Sequence, residues 1–229
     1  MSSRRSYGSY NDGCAAAHAL DLIGERWTMI VVRELLLGPK RFSDLQRDVL
    51  GIGPGVLARR LYELTTNGIA VRRRVPGPGR AEVYELTTWG YQLEAVNTTL
   101  SMWAIQSPSL PLEADMSPDT VVLAMRAHAR LAPGLPTALT VSLALMDSRH
   151  EESQPVCYLA RLNTDATTID RVLEPGRVDA GVAASTRDWK ACIIGGMPLG
   201  LLPGVCVTGD IGAAEQLVAA TSLSPLHQT

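Results

Sequence analysis

No stretch of this 229-residue chain approaches the roughly 20 uninterrupted apolar residues that cross a bilayer. The longest apolar run, Ile193 to Val207, is broken by Gly195, Gly196, Pro198, Gly200, Pro203 and Gly204. The start, Met1-Ser-Ser-Arg-Arg-Ser6, has two basic residues with no apolar stretch behind them, so it does not read as a secretory signal. A cytoplasmic protein with no membrane partner is expected. There are only four cysteines, at 14, 157, 192 and 206, none of them in a Cys-x-x-Cys pair. That excludes the common zinc spacings and predicts free thiols in a reducing compartment. G-x-S-x-G, H-E-x-x-H and P-loop signatures are missing. The glycines between Gly195 and Gly200 do not stand between a strand and a helix as a dinucleotide site needs. His128, His150 and His227 have no adjacent acid or nucleophile that reads as a catalytic pair. An enzyme, a cofactor and a metal site are therefore not expected. Repeats and low-complexity tracts are also missing.

What is present is an ordinary globular composition, 46% apolar and 19% charged, with length for two domains. A net charge of −2 hides an asymmetry. Residues 1–106 hold 13 Lys/Arg against 10 Asp/Glu, and residues 107–229 hold 8 against 13. Within 40–80 the count is 9 against 3, which points to a local anionic partner. Three prolines fall within 107–118, where helix cannot continue. The expected division is a domain over 1–106, a linker over 107–116 and a second domain over 117–229.

In the first part, Cys14 to Ile23 reads as a helix with Ala17, Leu20 and Ile23 on one face. Thr28 to Leu37 is a second helix, ended by Gly38-Pro39. Ser43-Asp-Leu-Gln46 has the spacing of a capping box and starts a third. After the turn Gly51-Ile-Gly53, Pro54 suits the first position of a fourth helix. There Val56, Leu57, Leu61 and Leu64 recur at helical spacing, with Arg59 and Arg60 expected off the apolar stripe, until Asn67-Gly68 closes it. Two short strands, 69–75 and 82–86, flank a Pro-Gly loop. Thr87 or Thr88 then caps a long helix with Leu93, Val96, Leu100 and Trp103 in phase. This order is that of a winged helix-turn-helix, whose second helix can enter a major groove roughly 12 Å wide.

These residues resemble the HxlR-type family of bacterial transcriptional regulators. The stretches that carry the resemblance are Cys14, 19–28, 33–45, 51–64, Asn67-Gly68 and 84–90. It implies a homodimeric winged-helix protein that binds double-stranded DNA. The family's usual serine in the turn is Gly53 here, which removes one possible phosphate contact. The expected DNA contacts are Ser43, Gly53, Pro54, Gly55, Val56, Arg59 and Arg60, with Arg72, Arg73, Arg74 and Arg80 on the wing. Alternation along a strand puts Arg72 and Arg74 on one face and Arg73 on the other, so not all can touch DNA. The bland alternative is a solvated helix face. The stripe on the long helix and the first helix would form the dimer interface, the alternative being ordinary core. Two recognition helices about one turn apart would then read a palindrome.

Cys14 and His18 stand at i and i+4. An imidazolium beside the thiol would lower its pKa and make it an oxidant or electrophile sensor. Some family members sense thiol stress through an N-terminal cysteine. The alternative is a small buried interface residue.

The second part reads as a helix from Ser117-Pro118-Asp119, strands near 139–146, 156–162, 167–173 and 178–185, a helix capped by Ser185, a strand at 205–210 and a last helix at 213–221. Asp188-Trp189, Gly195-Gly196 and Val207-Thr-Gly-Asp210 are similar to the sterol carrier protein 2-like fold. The expected class is thus α+β throughout. That resemblance implies an apolar pocket, lined by Leu143, Leu145, Trp189, Met197, Leu199 and Leu202, for a hydrophobic effector. A packed core is the alternative. Taken together, the sequence predicts a ligand-responsive repressor. A thiol sensor, or a lipid carrier with a non-functional winged helix, is the rival.

Overall fold

The computed structural model describes residues 9–75, 81–132 and 138–223. The chain forms two compact units, Met1–Asn97 and Thr98–Thr229.

The first unit holds α1 (Ala15–Ile23), α2 (Thr28–Leu35), α3 (Phe42–Asp48), α4 (Pro54–Thr66), β1 (Ala70–Arg74), β2 (Glu82–Leu86) and α5 (Thr88–Tyr91). Helix α6 (Leu93–Ala104) carries the division between the units. The α3–α4 turn starts from Pro54 at the first helical position, and Gly68 at φ +72° ends α4. The core joins Val31, Val32 and Leu35 of α2 to Leu45 of α3, Leu57, Leu61 and Leu64 of α4, and Val83 and Leu86 of β2. β1 and β2 pair antiparallel, with Arg72 opposite Tyr84 and Arg74 opposite Glu82. This is a winged helix-turn-helix.

Three details differ from expectation. Helix α3 is capped at Arg41, not Ser43: the Asp44 carboxylate accepts from the Arg41 amide at 3.2 Å, so the helix begins one residue before Ser43. The long helix is broken at Gln92 into α5 and α6. Thr87 caps α5, accepting from the Gly90 amide at 3.0 Å. A Cβ at Gly90 would lie 2.1 Å from the Ile69 carbonyl oxygen, so only glycine permits this approach of α5 to the sheet. The third is Arg60, which is buried on the core side of α4.

The second unit holds α7 (Pro118–Ala127), β3 (Leu139–Met146), β4 (Val156–Leu162), β5 (Thr167–Arg171), β6 (Ala180–Ser185), α8 (Thr186–Ile193), a 3-10 turn (Leu199–Leu201), β7 (Cys206–Gly209) and α9 (Ile211–Thr221). The sheet order is β5-β4-β3-β6-β7, and only β3–β6 is parallel. Val141, Leu143 and Leu145 alternate with less buried neighbours along β3. Their register partners Ala180, Val182 and Ala184 on β6 are buried too. One face of the sheet is thus the core side, against which α8 and α9 pack. Ser117 and Ser185 cap α7 and α8 as the sequence indicated. Part of the expected linker is held within this unit. Lys190 donates to the Leu112 and Ala114 carbonyls, and Arg187 pairs with Asp115 at 2.6 Å.

Candidate nucleic-acid interface

Helix α4 exposes one clean stripe. Leu57, Leu61 and Leu64 point into the core at spacings of four and three. Gly55, Arg59, Tyr62 and Thr66, at spacings of four, three and four, lie diametrically opposite and are all exposed. Val56 flanks this stripe and is exposed as well. Gly53 and Pro54 are exposed at the helix start, and the amides of Gly55 and Val56 fall among those that α-helical geometry leaves without an intrahelical acceptor. With no side chain at Gly53 or Gly55, an anion can approach that end closely. Ser43 is exposed on α3.

Arg59 is 70% exposed and pairs with Glu63 at 3.0 Å along the helix. Arg60 corrects the sequence reading. Its side chain is only 5% exposed, because position 60 falls on the core side of α4, between Leu57 and Leu64. Its Nη1 lies 3.1 Å from Glu63 and 3.2 Å from Glu25, which stands just before α2. The guanidinium fastens the α1–α2 connection to α4 and does not face outward.

On the wing, Arg72 and Arg74 both pair with Glu82, and Arg73 pairs with Glu85. All three arginines remain more than half exposed. Each therefore carries a carboxylate that a phosphate would have to displace. Arg80 lies outside the described residues. Reasoning from sequence missed two things here. One is Tyr62, whose spacing from Gly55 and Arg59 was the available signal. The other is the set of acids, whose pairing depends on strand register.

Beneath the helix-turn-helix lies a buried ionic cluster. Lys40 donates to Glu34 and Asp48, each at 2.8 Å. Arg33 also reaches Glu34 at 2.9 Å, and Arg47 reaches Asp48 at 2.9 Å. Burial alone would push the Glu34 carboxyl up. The charges of Lys40 and Arg33 outweigh it and hold Glu34 below the usual carboxylate range.

Cys14 occupies the N-cap position of α1 and is exposed. Its thiol is held below its ordinary value by the amides of Ala17 and Ala16 at the helix start, and His18 is not among the causes. Cys192 is buried, and that burial pushes its thiol up to about 11. Among the described residues no cluster of His, Cys, Asp and Glu could hold a metal ion, and no helix is long and apolar enough to cross a membrane.

In the second unit, Leu143, Leu145 and Trp189 are fully buried and Leu199 nearly so. The Trp189 indole donates to the Met125 sulfur at 3.2 Å. Leu202 is half-buried. Met197 is 41% exposed and does not join this group.

A match to the HxlR-like helix-turn-helix family covers residues 22–109. The HTH-type transcriptional regulator YodB of Bacillus subtilis is 36% identical over 88 residues, 38% of this chain and 79% of YodB. The uncharacterized HTH-type transcriptional regulator Rv3095 of Mycobacterium tuberculosis is 36% identical over 92 residues, 40% of this chain and 58% of that protein. The solved structure of YodB in its reduced form is 34% identical, covers 42% of this chain and 95% of YodB, and has a TM-score of 0.39.

Proposed function

The chain belongs to the HxlR-like helix-turn-helix family of transcriptional regulators, and from that premise we propose that it is a homodimeric repressor of a palindromic operator. The observation that carries this reading is the outward stripe of α4, which puts Arg59 opposite the core with exposed wing arginines on the adjoining hairpin. In this reading α4 enters the major groove, Arg59 meets a base edge, and the α4 amides together with Ser43, Arg72 and Arg74 hold phosphates. Arg80, which precedes β2 in the sequence, is assigned to the same set. Arg60 supports the contact indirectly by fixing α4. A dimer seated on a promoter represses by occupancy alone. The second unit, read as sterol carrier protein 2-like, takes an apolar effector at Leu143, Leu145, Trp189, Leu199 and Leu202. Solvent does not reach Leu143, Leu145 or Trp189 here, so such a ligand must favour a more open state, and it shifts DNA affinity only if it binds the two states unequally.

The test is a titration of the 229-residue chain against its own promoter DNA at about 50 and 200 mM salt. Affinity should fall steeply with salt, and Arg59→Ala should cost about 10- to 100-fold. Binding that ignores both salt and Arg59→Ala would remove α4 from the interface.

A second reading rests on Cys14, an exposed thiol at a helix N-terminus. It makes the regulator thiol-responsive. In pH-resolved alkylation followed by mass spectrometry, Cys14 should react at the lowest pH and buried Cys192 last. A Cys14→Ser variant whose DNA binding kept its full response to oxidant would end this reading.

A further inference from the structure

We propose that Tyr62 is a DNA-backbone contact that sets the register of α4 in the groove, an inference that rests on the proposed function. Tyr62 is 70% exposed, more than any other large apolar or aromatic side chain described in the first unit. It lies at the centre of the outward stripe, three residues after Arg59 and opposite Leu57, Leu61 and Leu64. Among the described residues its hydroxyl has no hydrogen-bond partner, and the side chain stands open to solvent. Besides the backbone bonds of α4, its main-chain carbonyl accepts from the Thr65 hydroxyl at 2.9 Å, which leaves the phenol open.

Position along the axis decides what Tyr62 meets. At 1.5 Å per residue, Arg59 is about 7.5 Å and Tyr62 about 12 Å beyond Pro54. The major groove is roughly 12 Å wide. A helix entering by its N-terminal end therefore carries Arg59 to the base edges and Tyr62 to the groove wall, where phosphates stand. A phenol donates one hydrogen bond to a phosphate oxygen without adding charge. It fixes position and carries no sequence information. It also releases no counterion, since none is neutralised.

The experiment compares the unmodified chain with Tyr62→Phe and Arg59→Ala. The probes are two duplexes of equal length, one recovered by selection from a random library and one scrambled. Tyr62→Phe should weaken binding about 3- to 10-fold on both, by similar factors, with the salt slope unchanged. Replacing phosphates in symmetry-related pairs by methylphosphonate should reveal one pair at which the unmodified chain and Tyr62→Phe bind alike. Thermal unfolding should not change, because the hydroxyl has no partner within the protein. Wild-type binding by Tyr62→Phe, with Arg59→Ala impaired, overturns the proposal and leaves the interface standing. A loss confined to the selected duplex overturns it too, since Tyr62 would then be reading a base. If neither variant weakens binding, the proposed interface itself fails.

Discussion

Lys40→Met should destabilise the first unit by about 3 kcal/mol. Lys40 is almost inaccessible and bonds at once to Glu34 and Asp48, which belong to α2 and α3. Its own main chain pairs with Tyr84 of β2. One residue thus ties both helices to the wing. Removing it leaves carboxylates in a dry site without their shared cation. Arg33 and Arg47 still reach one acid each, which keeps the loss at the low end of the range for broken buried pairs. Hydrogen exchange on the whole chain is the check. Amides of α2 and α4 should exchange faster, while those of β3 and β4 should not. Unchanged protection in α2 would show that the cluster does not hold the unit together.

The same variant has an acid signature. A carboxyl whose folded pKa is depressed contributes stability above its unfolded value, roughly 4.3, and loses it as pH falls through the folded value. That is Glu34 in the unmodified chain. Without Lys40, burial is the larger influence and protonation relieves the site. The stability gap between the two proteins should therefore narrow from pH 7 to about pH 4. A constant gap would mean that Lys40 acts by packing alone.

Local signals were read well where they were chemically specific. Pro54, Gly68, Ser117 and Ser185 mark helix ends because each satisfies, or does without, a particular backbone group. Strands β3 and β4 were legible from their runs of branched and apolar residues. Ser43 misleads because Asp44, the third residue of α3, reaches back to the Arg41 amide and starts the helix at Phe42. Arg60 misled for another reason. Its helical phase does place it on the core side, but a guanidinium there is tolerable only with acids around it, and Glu25 lies 35 residues earlier. Wing pairing and the sheet order β5-β4-β3-β6-β7 follow from register and crossover, which leave no mark in a local pattern. The break at Gln92 follows from the approach of Gly90 to Ile69, a contact 21 residues long.

Leu100→Glu should convert a dimer into monomers and lower affinity for a palindromic duplex by about 100-fold or more. No residue of α6 or α1 is buried within the chain. Val96, Leu100 and Trp103 recur at spacings of four and three along α6, and Trp103 is 76% exposed. Leu20 is exposed on α1 as well. A stripe of this kind is hard to explain as the core of one chain, since it stands exposed among the described residues. In the proposed dimer a second copy covers it by symmetry, each residue of a two-fold interface being used twice. A tryptophan buries about 150–250 Å² on such a surface, so a few anchors supply much of the association energy. A glutamate at Leu100 would instead bring two like charges to the axis-facing stripe without partners. In the proposed mode of binding one α4 meets one half-site, and only a dimer makes the second half-site an intramolecular event. Light scattering during chromatography measures the first effect and titration of the duplex the second. An unmodified chain that is monomeric at micromolar concentration would remove the dimer. A monomeric Leu100→Glu that still binds the palindrome at full strength would instead remove the two-site mode of binding and leave the interface on α6 intact.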